Sequence, residues 1–106
     1  ETDYVERARN LIFEEAEYLS GELYKLGMTV FPSQANYLFF KGPEDLFEIC
    51  VRKNVLIRDC SNYPGLGKGF YRVAVRTHEE NEQLIRTIHD GLMEERKKAQ
   101  QEEEEQ

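Results

Sequence analysis

Val55-Leu-Ile-Arg-Asp-Cys-Ser-Asn-Tyr-Pro-Gly-Leu66 and, after Gly67-Lys-Gly69, Phe70-Tyr-Arg-Val-Ala-Val-Arg76 decide how this chain folds. Both runs are rich in β-branched or aromatic residues, and a Gly- and Pro-containing loop joins them, which reads as two strands and their connection. Each run carries an arginine, Arg58 in the first and Arg72 in the second. Arg72 is set among Phe70, Tyr71, Val73, Ala74 and Val75, where a guanidinium that cannot lose its proton is costly to desolvate, by several kcal/mol if left unpaired (order of magnitude). Arg72 therefore either pairs with a carboxylate of its own chain or faces a cleft that takes an anionic ligand. Arg58 has the same alternatives, with Asp59 or Glu48 as local partners. The planar guanidinium fork suits a bidentate grip on a carboxylate.

Outward from this pair of strands, hydrophobic spacing defines the other elements. From Asp3 to Leu26, residues Val5, Ala8, Ile12, Ala16, Leu19, Leu23 and Leu26 recur in steps of three and four, one face of a long amphipathic helix. Gly27 is its stop. Met28–Phe31 reads as a short strand closed by Pro32 and Ser33, and Tyr37–Lys41 as an aromatic strand followed by a Gly42-Pro43 turn. A helix is expected from about Glu44 to Lys53, with Leu46, Phe47, Ile49, Cys50 and Val51 inward and Asn54 as its stop. The two opening runs supply strands over Val55–Asp59 and Phe70–Val75. Thr77-His-Glu-Glu80 matches a capping box, and the last helix carries Leu84, Ile85, Ile88, Leu92 and Met93 as its apolar stripe. The order α-β-β-α-β-β-α predicts an α+β fold, a small mostly antiparallel sheet of three or four strands with helices packed on one face. Residues 1–94 form the domain; residues 95–106, where the pattern dissolves into Lys, Gln and Glu, read as a charged, frayed helical tail.

Bulk properties narrow the function. A chain of 106 residues suffices for one core. The net charge of −7, with Glu102–Glu105 as an unbroken acidic run, argues against a nucleic-acid partner. No apolar stretch approaches the roughly 18 residues of a membrane span, so a soluble, cytoplasmic protein without a membrane partner is expected. Cys50 and Cys60 have neither CxxC spacing nor nearby histidines, and read as a buried helical thiol and a partly covered loop thiol, both reduced, with no metal site. His78 reads as a helix-start residue and His89 as a surface one. Gly65, Gly67 and Gly69 precede a strand instead of opening a helix, so they form a flexible connection and not a phosphate loop. No catalytic constellation emerges: Lys25, Lys41, Lys53 and Lys68 fall in turns, strand ends or exposed helical positions, unlike the desolvated lysine of Schiff-base chemistry.

Ser33-Gln-Ala-Asn-Tyr, Ile57-Arg-Asp-Cys-Ser-Asn-Tyr-Pro-Gly-Leu and Tyr71-Arg-Val-Ala-Val-Arg-Thr-His-Glu-Glu-Asn, in that order, resemble the C-terminal small domain of fold-type I pyridoxal-phosphate enzymes. The branch resembled is that of histidinol-phosphate aminotransferase and threonine-phosphate decarboxylase, and the resemblance runs from the first helix to about Met93. It implies the aminotransferase small-domain fold, with Arg72 gripping a substrate α-carboxylate and Arg58 a substrate phosphate. Asn36 takes a supporting place near the site, and Arg76 is a rim candidate. It further implies an enzyme acting on an amino acid or phosphorylated amine, with pyridoxal phosphate in the full-length protein. None is expected bound here, because the family's Schiff-base lysine, pyridine-nitrogen Asp and cofactor-phosphate residues lie in a large domain that this chain does not match. Alone, the 106 residues are expected to be inactive. The carboxylate grip serves transamination and decarboxylation alike, so a threonine-phosphate decarboxylase remains an alternative; so does a stand-alone α+β module that binds an anion or a partner. The expected partners are a small anionic substrate and the large domain. Self-association through Tyr37, Phe39, Tyr63 and Phe70 is also expected.

Overall fold

The computed structural model describes residues 2–31 and 36–105. Seven elements follow in the expected order: α1 (Thr2–Lys25), β1 (Thr29–Phe31), β2 (Tyr37–Lys41), α2 (Leu46–Arg52), β3 (Arg58–Asp59), β4 (Phe70–Ala74) and α3 (His78–Glu105). The strands form one sheet in the order β1-β2-β4-β3, every neighbouring pair antiparallel. Strand side chains alternate between faces, and the buried members Leu38, Phe40, Tyr71 and Val73 all fall on one of them. Against that face pack Leu19 and Leu23 of α1, Leu46 and Cys50 of α2, and Leu84 and Ile88 of α3, in a single core. The fold is the α+β arrangement expected, with its helices on one side. Among the described residues no helix is long and apolar enough to cross a membrane.

Two helices end in the same way, and each ending aims a following segment. Gly27 has φ 91°, its N–H donates to the Tyr24 carbonyl at 2.9 Å, and the Met28 N–H reaches back to Leu23 at 3.1 Å. Asn54 has φ 59°, with its N–H on Val51 at 3.1 Å and the Val55 N–H on Cys50 at 2.9 Å. Both are Schellman motifs, closed by a glycine and by the residue type next most tolerant of a left-handed backbone. The second one absorbs residues expected in a strand. Val55 is tied to the end of α2, Leu56 is 83% exposed, Ile57 turns into the core, and ladder pairing begins only at Arg58. The strand expected over Val55–Asp59 is therefore two residues long.

Other details are refined. α1 spans about 36 Å at 1.5 Å per residue, longer than the sheet is wide, so its stripe is buried only toward its C-terminal end: Val5 is exposed and Leu19 fully buried. The Pro32-Ser33 strand ending lies outside the described residues. The capping box forms by half: the Glu80 N–H donates to Thr77 Oγ1 at 3.2 Å, but that hydroxyl donates to Glu80 Oε1 at 3.0 Å, in place of a carboxylate bond back to the Thr77 backbone. Residues 95–104 continue α3 as regular helix, with exposed side chains from Arg96 to Glu104, while Glu95 pairs with Arg52 of α2 at 2.9 Å and Glu94 with Lys53, the residue that caps that helix, at 2.8 Å. Gly91 is buried between α2 and α3, where a Cβ would run into Ile49.

A polar network joins α1 to α3. His78 stands between two carboxylates, Nδ1 3.0 Å from Glu15 and Nε2 2.7 Å from Glu82, and against the Tyr18 ring at 4.7 Å. Only the protonated ring donates from both nitrogens, and its bond to Glu15, with the charges of Glu15, Glu82 and Glu79, raises the His78 pKa above its usual value. Asn81, 1% exposed, donates to Glu15 Oε1 at 3.1 Å and to the Arg76 carbonyl at 3.0 Å, and accepts the Arg76 N–H at 3.2 Å. A raised folded-state pKa gives stability that is whole below the unfolded value of about 6.5 and lost as pH climbs through the folded one. Urea midpoints should thus fall as pH rises above about 6.5, and His78→Gln should remove that slope; an unchanged slope in the variant would exclude the clamp as its source.

Candidate substrate-binding face

The face of the sheet turned away from the helices carries Phe31 from β1, Tyr37, Phe39 and Lys41 from β2, Phe70, Arg72 and Ala74 from β4, and Arg58 from β3. None of these is buried. Strand register places them: Phe39 pairs with Arg72 across β2–β4, and Arg72 pairs with Arg58 across β4–β3. Directly opposed residues point to the same side, with Cβ atoms roughly 4.5–5.5 Å apart. The two arginines singled out in the sequence are therefore nearest cross-strand neighbours on one face.

Among the described residues neither guanidinium has a carboxylate partner within the 4 Å of an ion pair, so the local pairing of Arg58 with Asp59 or Glu48 is not formed. Asp59 instead accepts the Ser61 N–H at 2.9 Å. Arg72 lies with its Cζ 4.7 Å from the centre of the Tyr37 ring. Lys41 stands 5.5 Å over the Phe70 ring, and Phe31, Phe39 and Phe70 form an aromatic cluster with centroid separations of 5.4 to 6.2 Å. The face thus joins three cations to an aromatic floor. Among the described residues each of these side chains keeps part of its surface exposed.

The loop between β3 and β4 holds the two arginines in register. Its Cys60 N–H donates to the Phe70 carbonyl at 2.9 Å, and two successive turns close at Tyr63 and Leu66, each at 3.1 Å. Cys60 is fully buried, more than a partly covered loop thiol; burial raises its pKa against the opposing pull of Arg72, with Asp59 raising it further and Arg58 lowering it. Cys50, also buried, is pushed up to about 11 by desolvation, so both thiols are free and protonated at neutral pH. Gly69 is the one loop glycine whose conformation and surroundings both demand it: φ is 94°, and a Cβ would stand 2.9 Å from the Gly42 carbonyl, beside the Gly42 N–H···Gly69 O bond of 2.8 Å.

Other candidates stand apart. The Asn36 carbonyl accepts the Val75 N–H at 2.9 Å, which sets Asn36 three residues along the chain from the Phe39–Arg72 row, about 10 Å at strand rise. Ser33, Gln34 and Ala35 of its motif lie outside the described residues. Arg76 is paired with Glu80 at 3.4 Å and lines a different groove, of about 220 Å³, with Asn54, Val55 and Leu84. Among the described residues no group of three or more metal-ligating side chains occurs.

A family model described as aminotransferase class I and II matches residues 1–88. The chain belongs to that family. This aminotransferase-family chain is 35% identical over 97 residues to the histidinol-phosphate aminotransferase of Methanopyrus kandleri, a match covering 85% of this chain and 25% of the relative. It is 40% identical over 68 residues to the threonine-phosphate decarboxylase of Salmonella typhimurium, covering 61% of this chain and 19% of the relative. The crystal structure of the histidinol-phosphate aminotransferase from Clostridium acetobutylicum superposes with a TM-score of 0.75 at 28% identity, over 83% of this chain and 28% of that one. The branch resembled in the sequence is thus the branch its relatives occupy, and the aminotransferase-family chain spans a quarter or less of the two curated relatives.

Like charges placed directly opposite each other across a ladder destabilise by about 0.2–1 kcal/mol. Arg58→Leu should therefore stabilise the aminotransferase-family chain in phosphate-free buffer, and inorganic phosphate should raise the melting temperature of the parent chain more than that of the variant. Equal phosphate responses would show only the general salting effect.

Proposed function

We propose that residues 1–94 are the substrate-binding small domain of a cytoplasmic, pyridoxal-phosphate-dependent aminotransferase, with residues 95–106 as a charged helical extension. Its substrate is an amino acid or phosphorylated amine. Arg72 grips the carboxylate, Arg58 the phosphate, and Asn36 has a supporting place at the margin. The single observation that carries this reading is the Arg58–Arg72 opposition on the open sheet face, with no carboxylate paired to either among the described residues. Each charge-assisted contact contributes about 1.5–3 kcal/mol of binding, enough together to orient a small dianion.

The residues in hand do not fit the cofactor itself. Pyridoxal phosphate supplies an electron sink for carbanion chemistry and is held through a lysine. Here Lys25, Lys41, Lys68, Lys97 and Lys98 are exposed and Lys53 is paired with Glu94 at 2.8 Å, so none has the dry surroundings that make a lysine nucleophilic at neutral pH. The anchoring lysine belongs to the large domain of the same enzyme, and the 106 residues alone turn over nothing. A second reading, a threonine-phosphate decarboxylase, has the support of 40% identity over 68 residues to that enzyme and uses the same two grips.

Kinetics of the full-length enzyme test the assignment. Arg72→Ala should raise KM for every substrate bearing an α-carboxylate by roughly tenfold to a hundredfold, the loss of one charge-assisted bond. Arg58→Ala should do so only for phosphorylated substrates. Equal losses from Arg58→Ala on phosphorylated and unphosphorylated substrates would remove the phosphate assignment.

A further inference from the structure

Among the described residues Arg72 has no ion-pair partner, and its guanidinium lies against the ring of Tyr37. Tyr37 pairs with Ala74 and Phe39 with Arg72, so Tyr37 and Arg72 are diagonal neighbours on the open face, with the guanidinium carbon 4.7 Å from the ring centre. On its other flank the strand register sets Arg58, a like charge, opposite Arg72. A guanidinium attracted to the π face of an aromatic ring keeps its N–H donors, which lie in its own plane, free for a ligand. A carboxylate partner would have consumed them. Tyr37 is 43% exposed and lies outside the core, so its ring is not explained by packing of the fold.

We propose that Tyr37 is a positioning residue: its ring orients Arg72 so that the guanidinium edge meets a planar carboxylate. This rests on the assignment of Arg72 to the substrate carboxylate and deepens it. Among the described residues Arg58 has no such ring and no ion pair, so the two grips differ in kind. The oriented Arg72 suits a planar, directional carboxylate; the exposed Arg58, without a ring beside it, suits a phosphate whose oxygens accept from several directions.

The test uses the full-length enzyme with Tyr37→Phe, Tyr37→Leu and a series of fluorinated phenylalanines at position 37, which keep the shape of the ring while draining its π face. Tyr37→Phe should behave as the parent. Tyr37→Leu should raise KM for carboxylate substrates roughly threefold to thirtyfold, in line with the strength of a cation–π contact, with kcat nearly unchanged. The fluorinated series should raise KM stepwise with fluorine count. KM for a phosphorylated amine lacking a carboxylate should stay constant throughout. A flat fluorine series, or a Tyr37→Phe loss as large as that of Tyr37→Leu, would overturn the proposal while leaving Arg72→Ala free to show its own effect. If Arg72→Ala leaves KM for carboxylate substrates unchanged, the underlying assignment falls, and Tyr37 with it.

Discussion

The register of β4 against β3 sets two positive charges opposite each other on an exposed face, and much of the structure can be understood as the means of holding that unfavourable arrangement. Repulsion between the arginines is modest in water but not zero, and among the described residues no acid of the chain pairs with either of them. The opposite face of the same strands offsets it. Tyr71 and Val73 flank Arg72 in sequence and are buried against three helices, so Arg72 cannot turn inward without pulling them out. At about 1.5–3 kcal/mol for each large apolar side chain buried, the core easily outweighs a like-charge contact.

Loop and turn chemistry make the register specific. The Tyr71 hydroxyl donates to the Pro43 carbonyl beneath the turn after β2, and Gly69 meets Gly42 backbone to backbone. These contacts tie the β3–β4 loop to the β2–α2 turn, so β4 cannot slide against β2. A slip of one residue would carry Arg72 into the core and Tyr71 onto the outer face. The Asn54 ending of α2 then delivers Ile57 to the core and Arg58 to the ladder.

The helices, the four strands and their order were legible because alternation, helical spacing and the Gly/Pro/Asn stops all agree along the chain. Tyr37–Lys41 is the clearest case, since its apolar and aromatic residues leave little else to form. Val55–Ile57 misled because its composition is that of a strand, while the backbone is already committed to closing α2. The relation between Arg58 and Arg72 was only half visible. Residue types and the family motifs marked both, but facing is a property of register, which local composition does not contain. Tyr37 stood out only as an exposed aromatic residue; its partnership with Arg72 depends on a diagonal across two strands thirty-odd residues apart in sequence. Asn81 gave no signal either, since a buried amide with all its bonds made looks in sequence like any polar helix residue.

A crystal structure of the full-length enzyme with a bound substrate analogue carrying both a carboxylate and a phosphate examines the central claim most directly. The account predicts Arg72 on the carboxylate and Arg58 on the phosphate of one and the same molecule, both reaching it from the helix-free side of the sheet. An analogue bound elsewhere, or contacted by only one of the two guanidinium groups, would contradict it.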